Sequence, residues 1–333
     1  ADLATTTNGG NVGNSNGYDI VFTDDNNTQL AHEIELYDPA TGRIVMWVNV
    51  PVLGATTDTE IQMYYGDASV TTSQENVSGV WDANYAGVWH MAENPSIDTD
   101  GDCAGGGFEL CDSTVNGNHA NAQGSFDGSE LVGGQIGNAI SFDGNSEYFV
   151  IPYSSSIDIG GSEITLEAYG YGAQPFPQDA PYLVKGPGMN QEQYFLGVNR
   201  NSNGSNDINI RITTNISHIT QNQWLKPNEV WTHSVMRYNE SLTSGLELQL
   251  FVDGSSVFQT GAGGTLSQGV NDAHIGKRLT TDNRYYEGRI DEIRLSNVAR
   301  SDEWIATTHN NLSGQGVGVG QFISAMGPAE PQQ

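Results

Sequence analysis

The chain has 333 residues, and its 40 aspartates and glutamates against 12 lysines and arginines give a formal net charge of −28. Nucleic acids and anionic membrane surfaces attract proteins through basic patches, so this charge argues against both as partners. The length is sufficient for two domains with separate cores, and no apolar run is long enough to span a bilayer, so we expect no membrane insertion.

Short alternating segments follow one another along the chain, separated by Gly, Asn, Asp and Ser. In chain order they read YDIVFTD, RIVMWVNVPV, EIQMYYGD, AISFDG, YFVIP, EITLEAYGYG, QYFLGVN, DINIRITT, THSVMRYN, ELQLFVDG and AHIGKR. This alternation with frequent turn residues predicts an all-β fold, an antiparallel β-sandwich with many hairpins. Asp253 and Gly254, between LQLF and SVFQ, predict a tight hairpin turn.

Helical patterns are short and few. One is predicted near 78–87, and a second at 301–310, where Ser301 followed by two acids suits a helix N-terminus. A change of pattern near residue 75 predicts a boundary between a small β domain at 1–75 and a larger sandwich at 76–326. The Gly/Pro/Gln-rich end predicts a disordered tail at 327–333.

The only two cysteines, Cys103 and Cys111, lie eight residues apart in a Gly-rich segment. They form either a local disulfide or two free thiols, and we favour the disulfide. A disulfide implies an oxidising compartment, so we expect an extracellular or cell-surface protein.

The segments also carry a resemblance to known families. On NGYDIVFTD, EIELYD, IVMWVNVP and MYYGD, residues 16–66 resemble a small β domain of unassigned function found in extracellular bacterial and archaeal proteins. On GVWHMAE, DSTVNGNHA, AISFDGNSEYFVIP, ITLEAYGYGAQP, VWTHSVMRYN, LQLFVDG and YYEGRIDEIRLSNVARSDEWI, residues 79–326 resemble laminin-G-like, concanavalin-type jelly rolls. The resemblance implies two packed antiparallel sheets, often a bound calcium, and roles in glycan binding or adhesion.

Two departures from these families matter. The small domain usually has further strands before NGYDIVFTD, so we expect residues 1–75 to lack its first strands. The insertion NPSIDTDGDCAGGGFELC separates WHMAE from DST, which usually follow each other closely. Within it, Asp98, Asp100, Asp102 and Glu109 occupy positions 1, 3, 5 and 12 of a twelve-residue calcium loop. Position 6 is Cys103 instead of Gly, so the alternative is a solvated acidic insertion closed by the disulfide.

Asp291 lies in GRIDEIRLSNVAR, and in a regular strand it shares a face with Ile293 and Leu295. A carboxylate on an apolar face needs a cation or strong hydrogen bonds. By resemblance, an aspartate here helps to bind a structural calcium, with loop oxygens near Asp112, and Asp143 in SFDGN is a further candidate. The alternatives are hydrogen bonding to the backbone, which also suits Asp143 in its turn, and catalysis.

Exposed aromatic residues are candidates for stacking on sugar rings. Tyr285 and Tyr286 in DNRYYEG and Trp224 in TQNQWLKP are predicted as such ligand-binding platforms, and packing in the core is the alternative for each. No strand carries the paired carboxylates of a glycosidase, and no nucleophile motif is present, so we predict no catalytic residue.

The function predicted from these observations is a non-catalytic extracellular binding or adhesion protein. Its calcium-stabilised jelly roll would recognise a glycan or a cell-surface protein. Two alternatives remain. The chain is a self-associating subunit of an extracellular filament or surface assembly linked by strand addition, or it is a polysaccharide-active hydrolase or lyase.

Overall fold

The computed structural model describes most of the chain. The described residues are 2–54, 56–97, 103, 106–188, 191–278 and 284–313. Asp98, Asp100, Asp102 and the tail predicted at 327–333 lie outside them. Contacts divide the chain into two compact units, Ala1–Tyr85 with Ser113–Gly117, and Ala86–Asp112 with Asn118–Gln333. Among the described residues, no helix is long and apolar enough to cross a membrane.

The described residues of the first unit form two small antiparallel sheets. Its strands are β1 (Val21–Thr23), β2 (Gln29–Leu30), β3 (His32–Asp38), β4 (Arg43–Val48) and β5 (Gln62–Tyr64). One sheet has the order β2-β1-β5, and β3 pairs with β4 in a hairpin. Buried Val12, Ile20, Phe22 and Leu30 form its core.

The second unit is built from two large sheets. Its strands and helix are β6 (Tyr85–Trp89), β7 (Asn121–Gln123), β8 (Leu131–Gly133), β9 (Asn138–Asp143), β10 (Tyr148–Ile151), β11 (Glu163–Tyr171), β12 (Ala180–Lys185), β13 (Tyr194–Arg200), β14 (Asn206–Thr213), β15 (His218–Leu225), β16 (Thr232–Asn239), β17 (Leu248–Val252), β18 (Ser255–Thr260), β19 (Ala273–Ile275), β20 (Lys277–Arg278), β21 (Arg284–Tyr285), β22 (Glu287–Ser296) and α1 (Asp302–Ser313).

Within the described residues, seven strands form one sheet in the order β15-β14-β13-β12-β19-β10-β7, and eight form the other in the order β18-β17-β16-β11-β22-β9-β8, with β6 beside β22. β20 and β21 pair with each other as a two-stranded ribbon. The fold class predicted from the alternation, an antiparallel β-sandwich, is confirmed.

One face of each large sheet contributes to a common core. In β14, for example, Ile208, Ile210 and Ile212 are fully buried in the core cluster, as are Tyr194 and Leu196 of β13. Burying one such aliphatic side chain is worth about 1.5–3 kcal/mol, so the alternation in these strands supplies much of the stability. The residues between them point away from the core, because successive side chains of a strand alternate in direction.

Two local predictions are confirmed. Val252 pairs with Ser255 across the turn formed by Asp253 and Gly254, whose φ angles of 47° and 76° are those of a tight hairpin turn. Helix α1 begins after Ser301, whose Oγ accepts a hydrogen bond from the Trp304 N–H at 3.1 Å.

The helix predicted near 78–87 is wrong. Val77–Gly79 form only a short 3-10 turn, and strand β6 follows at Tyr85–Trp89. All five β6 residues are buried, and β6 pairs with β22. Pairing with that long strand outweighs the weak local preference for helix.

Candidate functional site

The outer face of the seven-stranded sheet, which points away from the core, carries an unusual set of polar side chains. Its pairing places Phe195 opposite Val184 on one side and Arg211 on the other. His274 lies beyond Val184 on the same face. Tyr194 and Leu196, the neighbours of Phe195 in β13, point into the core instead. Arg211, a charged residue in a strand rich in isoleucine, therefore contacts its polar partners on this face.

Five side chains on this face form what we call the arginine cluster: Asp179, Glu192, Arg211, Arg278 and Arg284. Asp179 accepts hydrogen bonds from all three arginines, at 2.9 Å in the case of Arg278 Nη1. Glu192 Oε1 accepts from Arg278 Nε at 2.6 Å and from Arg211 Nη1 at 3.4 Å. Charge-assisted bonds of this kind are among the stronger ones in proteins.

In the arginine cluster, three guanidiniums lie against two carboxylates, Asp179 and Glu192. The side chains of Arg211 and Arg278 are 4% and 2% exposed, whereas Asp179 and Arg284 are 16% and 20% exposed. Arg284 and Asp179 are thus the part of the cluster that reaches solvent.

Glu192 also faces His218. Its Oε2 lies 3.7 Å from His218 Nε2 and has no hydrogen-bond partner among the described residues. The imidazole is held by Thr213 Oγ1 at 2.7 Å and Thr220 Oγ1 at 3.1 Å. Burial lowers the pKa of His218, and the neighbouring arginines lower it further, while Glu192 opposes the shift.

The ribbon of β20 and β21 links the arginine cluster to a second group of side chains. Arg278 pairs with Arg284, and Lys277 pairs with Tyr285. Neighbouring pairs of a ribbon point to opposite sides. One side therefore holds the arginines against Asp179 and Glu192, and the other presents Lys277 and Tyr285.

Lys277, Tyr285, Tyr148 and His274 form what we call the tyrosine–lysine patch. Lys277 Nζ lies 4.1 Å from the ring centroid of Tyr148 and 4.8 Å from that of Tyr285. The two tyrosine rings are 6.0 Å apart and edge to face, and His274 lies 6.2 Å from Tyr148. Tyr148, Lys277 and Tyr285 are half-buried, so each keeps some surface in contact with solvent. Burial lowers the pKa of His274 to about 4, so this imidazole is neutral at pH 7.

Of the three predicted aromatic platforms, only Tyr285 belongs to this patch. The prediction for Tyr286 is wrong, because its side chain is fully buried and its hydroxyl donates to the Tyr171 carbonyl at 2.9 Å. Trp224 lies in the edge strand β15, half-buried against the core. Strand β10, which carries Tyr148, is five positions away in the sheet, roughly 24 Å at a spacing of about 4.8 Å. The structure does not bring Trp224 to the patch.

The prediction that Asp291 shares a face with Ile293 and Leu295 is also wrong, because β22 contains a β-bulge. Glu292 has a φ of 52°, and the pairing with β11 slips by one residue at this point. As a result Ile290 and Ile293, three residues apart, both point into the core. Asp291 points away from it and is fully buried, and its Oδ2 accepts the Ile136 N–H at 3.0 Å. The observed contact is the backbone hydrogen bond that was the alternative to a metal.

Asp143 caps the turn that follows it. Its Oδ1 accepts the N–H groups of Asn145 and Ser146, each at 2.8 Å, and its Oδ2 accepts the Ser146 hydroxyl. These backbone bonds lower the pKa of Asp143 against the opposing effect of burial, which is the largest single influence. The carboxylate therefore acts as an Asx-type cap of its own hairpin.

Asp112 and Glu109 are likewise held by backbone donors. Asp112 accepts the N–H groups of Val88 at 3.0 Å and Asn118 at 2.7 Å, and Glu109 Oε2 accepts that of Ala122 at 2.7 Å. Within the described part of the chain, no three of Glu109, Asp112, Asp143 and Asp291 bring ligand atoms within 4.8 Å of one another. These four carboxylates therefore do not assemble into one cation site.

The two cysteines are joined. Cys103 and Cys111 form a disulfide with a Cα–Cα distance of 5.2 Å, and it closes the segment that contains Glu109. The Cys111 N–H donates to Glu93 Oε1 at 3.3 Å, and the next N–H, of Asp112, donates to His119 Nδ1 at 3.0 Å. The base of the acidic insertion is therefore fixed by a covalent bond and by hydrogen bonds.

Comparison with known families agrees with this architecture. Residues 143–306 match the concanavalin A-like lectin/glucanases superfamily, and residues 16–89 match a domain of unknown function, DUF2341. The chain carries a concanavalin A-like domain preceded by a DUF2341 domain. Both parts of the resemblance noted in the sequence are confirmed. No curated protein matches the chain.

Several solved structures are similar to this chain. Domain 4 of the extracellular arabinanase AbnA from Geobacillus stearothermophilus, solved with arabinotriose, has 14% identity and a TM-score of 0.46, covering 68% of this chain and 98% of that domain. The botulinum neurotoxin serotype G binding domain has 9% identity and a TM-score of 0.48, covering 68% of this chain and 50% of that one. A Trypanosoma rangeli sialidase has 14% identity and a TM-score of 0.46, covering 78% of this chain and 35% of the sialidase. This chain thus spans half or less of the last two structures, and none of the three assigns it a ligand.

Sequence reasoning missed most of the site. The fold places His218 beside Glu192 and Arg211, and none of these three was predicted as a site residue. Sequence reasoning also did not single out Tyr148 or Lys277. One signal was available, because the alternation of DINIRITT puts Arg211 on the face opposite the isoleucines and so predicts a polar outer face.

Proposed function

We propose that this protein is a non-catalytic extracellular binding protein that recognises a carbohydrate, on a glycan or on a glycosylated surface partner, through the tyrosine–lysine patch. The observation that carries the proposal is the pair of half-buried tyrosines, Tyr148 on the seven-stranded sheet and Tyr285 on the ribbon, whose rings are 6.0 Å apart. Tyrosines of this kind supply a large contact area with few rotatable bonds, together with a hydroxyl for hydrogen bonding.

The arginine cluster supports this role by holding the ribbon in place. Arg278 and Arg284 fix one side of the ribbon to Asp179 and Glu192, so Tyr285 on the other side starts from an ordered position. A ligand then loses less binding free energy to the ordering of the protein. The amide side chains of Asn121 and Gln123 in β7, the strand beside β10, add polar groups near Tyr148.

Glycan-array binding of the intact chain tests the proposal. Tyr148→Ala and Tyr285→Ala should each weaken binding by about tenfold or more, as expected for an aromatic anchor. Tyr64→Ala is the matched control, because Tyr64 is 37% exposed in the first unit and should leave binding unchanged. Wild-type affinity in both patch variants would reject this site. Release of product from any bound polysaccharide would reject the non-catalytic part of the proposal.

Calcium forms a separate part of the proposal, at the acidic insertion closed by the disulfide. Carboxylates at positions 1, 3, 5 and 12 suit a hard cation. Glu109 is the ligand candidate among the described residues, and the other three candidates lie outside them. Calcium should raise the melting temperature of the wild-type chain, and EDTA should reverse the rise. In the double variant Asp100→Asn, Asp102→Asn, calcium should no longer raise the melting temperature. An equal rise in melting temperature in that variant would exclude this loop as the calcium site.

Assembly by strand addition is a second candidate function, and one observation in the first unit favours it. Strand β5 is an edge strand of the three-stranded sheet. Tyr64 in this strand is 37% exposed, and Ile61, just before the strand, is 40% exposed. Edge strands accept a strand from another molecule unless charge or shape prevents it. Light scattering after size exclusion tests this candidate, and a monomer at high concentration would reject it.

A further inference from the structure

We infer that the ligand of the tyrosine–lysine patch is an anionic saccharide, a sugar that carries a carboxylate or a sulfate. This inference rests on the proposed function and narrows its ligand class. Its basis is the ammonium group of Lys277, which the patch holds between Tyr148 and Tyr285.

Among the described residues, Lys277 has no acidic partner, unlike the other cations on this face. The chain has 40 acidic residues against 12 basic ones, and Arg211, Arg278 and Arg284 on the same face all pair with carboxylates. In the described part of the chain, however, no carboxylate oxygen lies within 4.0 Å of Lys277 Nζ. Its recorded contacts are the faces of the two tyrosine rings.

Cation–π contact holds the ammonium but leaves its hydrogen-bonding capacity unused. Such a contact is worth about 0.5–2 kcal/mol, and it uses none of the three N–H donors in a directed hydrogen bond. The side chain is half-buried, so water does not surround it completely. A carboxylate or sulfate on a sugar lying against the tyrosines would accept those donors in a charge-assisted bond.

The surrounding charges favour an anion at this place. The other side of the same ribbon carries two guanidiniums, Arg278 and Arg284, and Lys277 adds a third cation. The exposed acid Asp272 is near in sequence, but its Oδ1 accepts the Tyr153 N–H at 2.8 Å, which anchors it to the strand end. His274 is neutral at pH 7, so Lys277 is the cation of the patch.

Binding should therefore discriminate by charge. The probes are a tetragalacturonate, a sulfated tetrasaccharide of neutral sugars, and cellotetraose as the neutral reference, titrated calorimetrically into the intact chain. We expect the two anionic probes, or one of them, to bind and cellotetraose to bind more weakly. Lys277→Met keeps the apolar stem and removes the charge, and it should weaken anionic binding about 10- to 100-fold, the value of a charge-assisted hydrogen bond.

Arg200→Met is the matched control. Arg200 is exposed at the end of β13, so this variant makes the same change in net charge away from the patch. Its affinity for the anionic probes should equal that of the wild type. If Arg200→Met weakens binding as much as Lys277→Met, the effect comes from overall charge, and the inference is wrong.

The outcomes separate this inference from the proposed function. Binding of tetragalacturonate alone identifies the anion as a carboxylate, and binding of the sulfated probe alone identifies it as a sulfate ester, provided that Lys277→Met abolishes either. If cellotetraose binds as tightly as the anionic probes and Lys277→Met changes nothing, the inference fails while carbohydrate binding stands. If no probe binds and the glycan array is empty, carbohydrate binding itself fails.

Discussion

The substitution Asp179→Asn tests whether the arginine cluster holds the ribbon to the sheet. It removes the carboxylate that all three arginines share. Among the described residues, Arg211 and Arg278, 4% and 2% exposed, then keep Glu192 as their carboxylate partner. Asp179 has a φ of 50°, a conformation that Asn also tolerates, so the backbone should not be strained by the change. The measured effect should therefore come from the lost charge.

The expected loss is about 2–4 kcal/mol in the free energy of unfolding. Removing one partner of a buried ion pair costs about 3–5 kcal/mol, because a desolvated charge is left uncompensated. Asp179 and Arg284 are partly in contact with solvent, which screens their share and reduces the figure. Removing an acid from so acidic a chain should otherwise relieve repulsion, so a loss of stability points to the cluster itself.

Urea unfolding at 25 °C and amide hydrogen exchange measure this effect. With a slope of about 1–3 kcal/mol per molar urea, the midpoint for the second unit should fall by roughly 0.7–4 M. Exchange should accelerate at Lys277, Arg278, Arg284 and Tyr285, whose strands the cluster fixes. Such local exchange reports opening of the ribbon even where global stability changes little.

The control is Asp302→Asn, which breaks another aspartate–arginine pair. Asp302 is 63% exposed and contacts Arg237 at 2.7 Å, so its loss should cost less than about 1 kcal/mol. If Asp179→Asn lowers the midpoint no more than this control does, and exchange in the ribbon is unchanged, the cluster does not hold the ribbon.

Three further predictions concern the second unit. Reducing the Cys103–Cys111 disulfide should lower the free energy of unfolding by about 2–3 kcal/mol, because the closed loop is short and its closure entropy is modest. Thermal melting with and without a reductant measures this loss, and an unchanged melting temperature would refute the prediction. Burial lowers the pKa of His274 from 6.5 to about 4. The stability that depends on a neutral His274 is therefore complete above pH 6.5 and is lost as the pH falls towards 4. The wild type should lose up to about 3 kcal/mol more than His274→Gln in that interval, and parallel stability profiles would contradict the assignment. A Cβ on Gly170 would lie 2.3 Å from the ring of Tyr182, so Gly170→Ala should cost about 1–3 kcal/mol, whereas a wild-type melting temperature would show that the ring can move.

Local patterns in the sequence were sufficient to predict the fold class and many of the strands. The isoleucines of DINIRITT alternate with polar residues, and the structure buries them in the core as β14. Asp253-Gly254 and Ser301 act through bonds within a few residues, so their turn and helix start could also be predicted. The 78–87 segment was mispredicted because its strand forms only by pairing with β22, which lies about two hundred residues later in the chain.

The sequence by itself therefore determined the β-sandwich and the residues that alternate into its core, because side-chain direction in a strand depends only on its own alternation. Only the tertiary structure decided which side chains from distant segments come into contact. Asp179 and Arg278 are 99 residues apart and share a hydrogen bond, and the order β12-β19 followed by the ribbon brings them together. The bulge at Glu292, which turns Asp291 away from the core, likewise depends on the register with β11. Strand order and register arise from packing of the whole sheet, and no single segment encodes them.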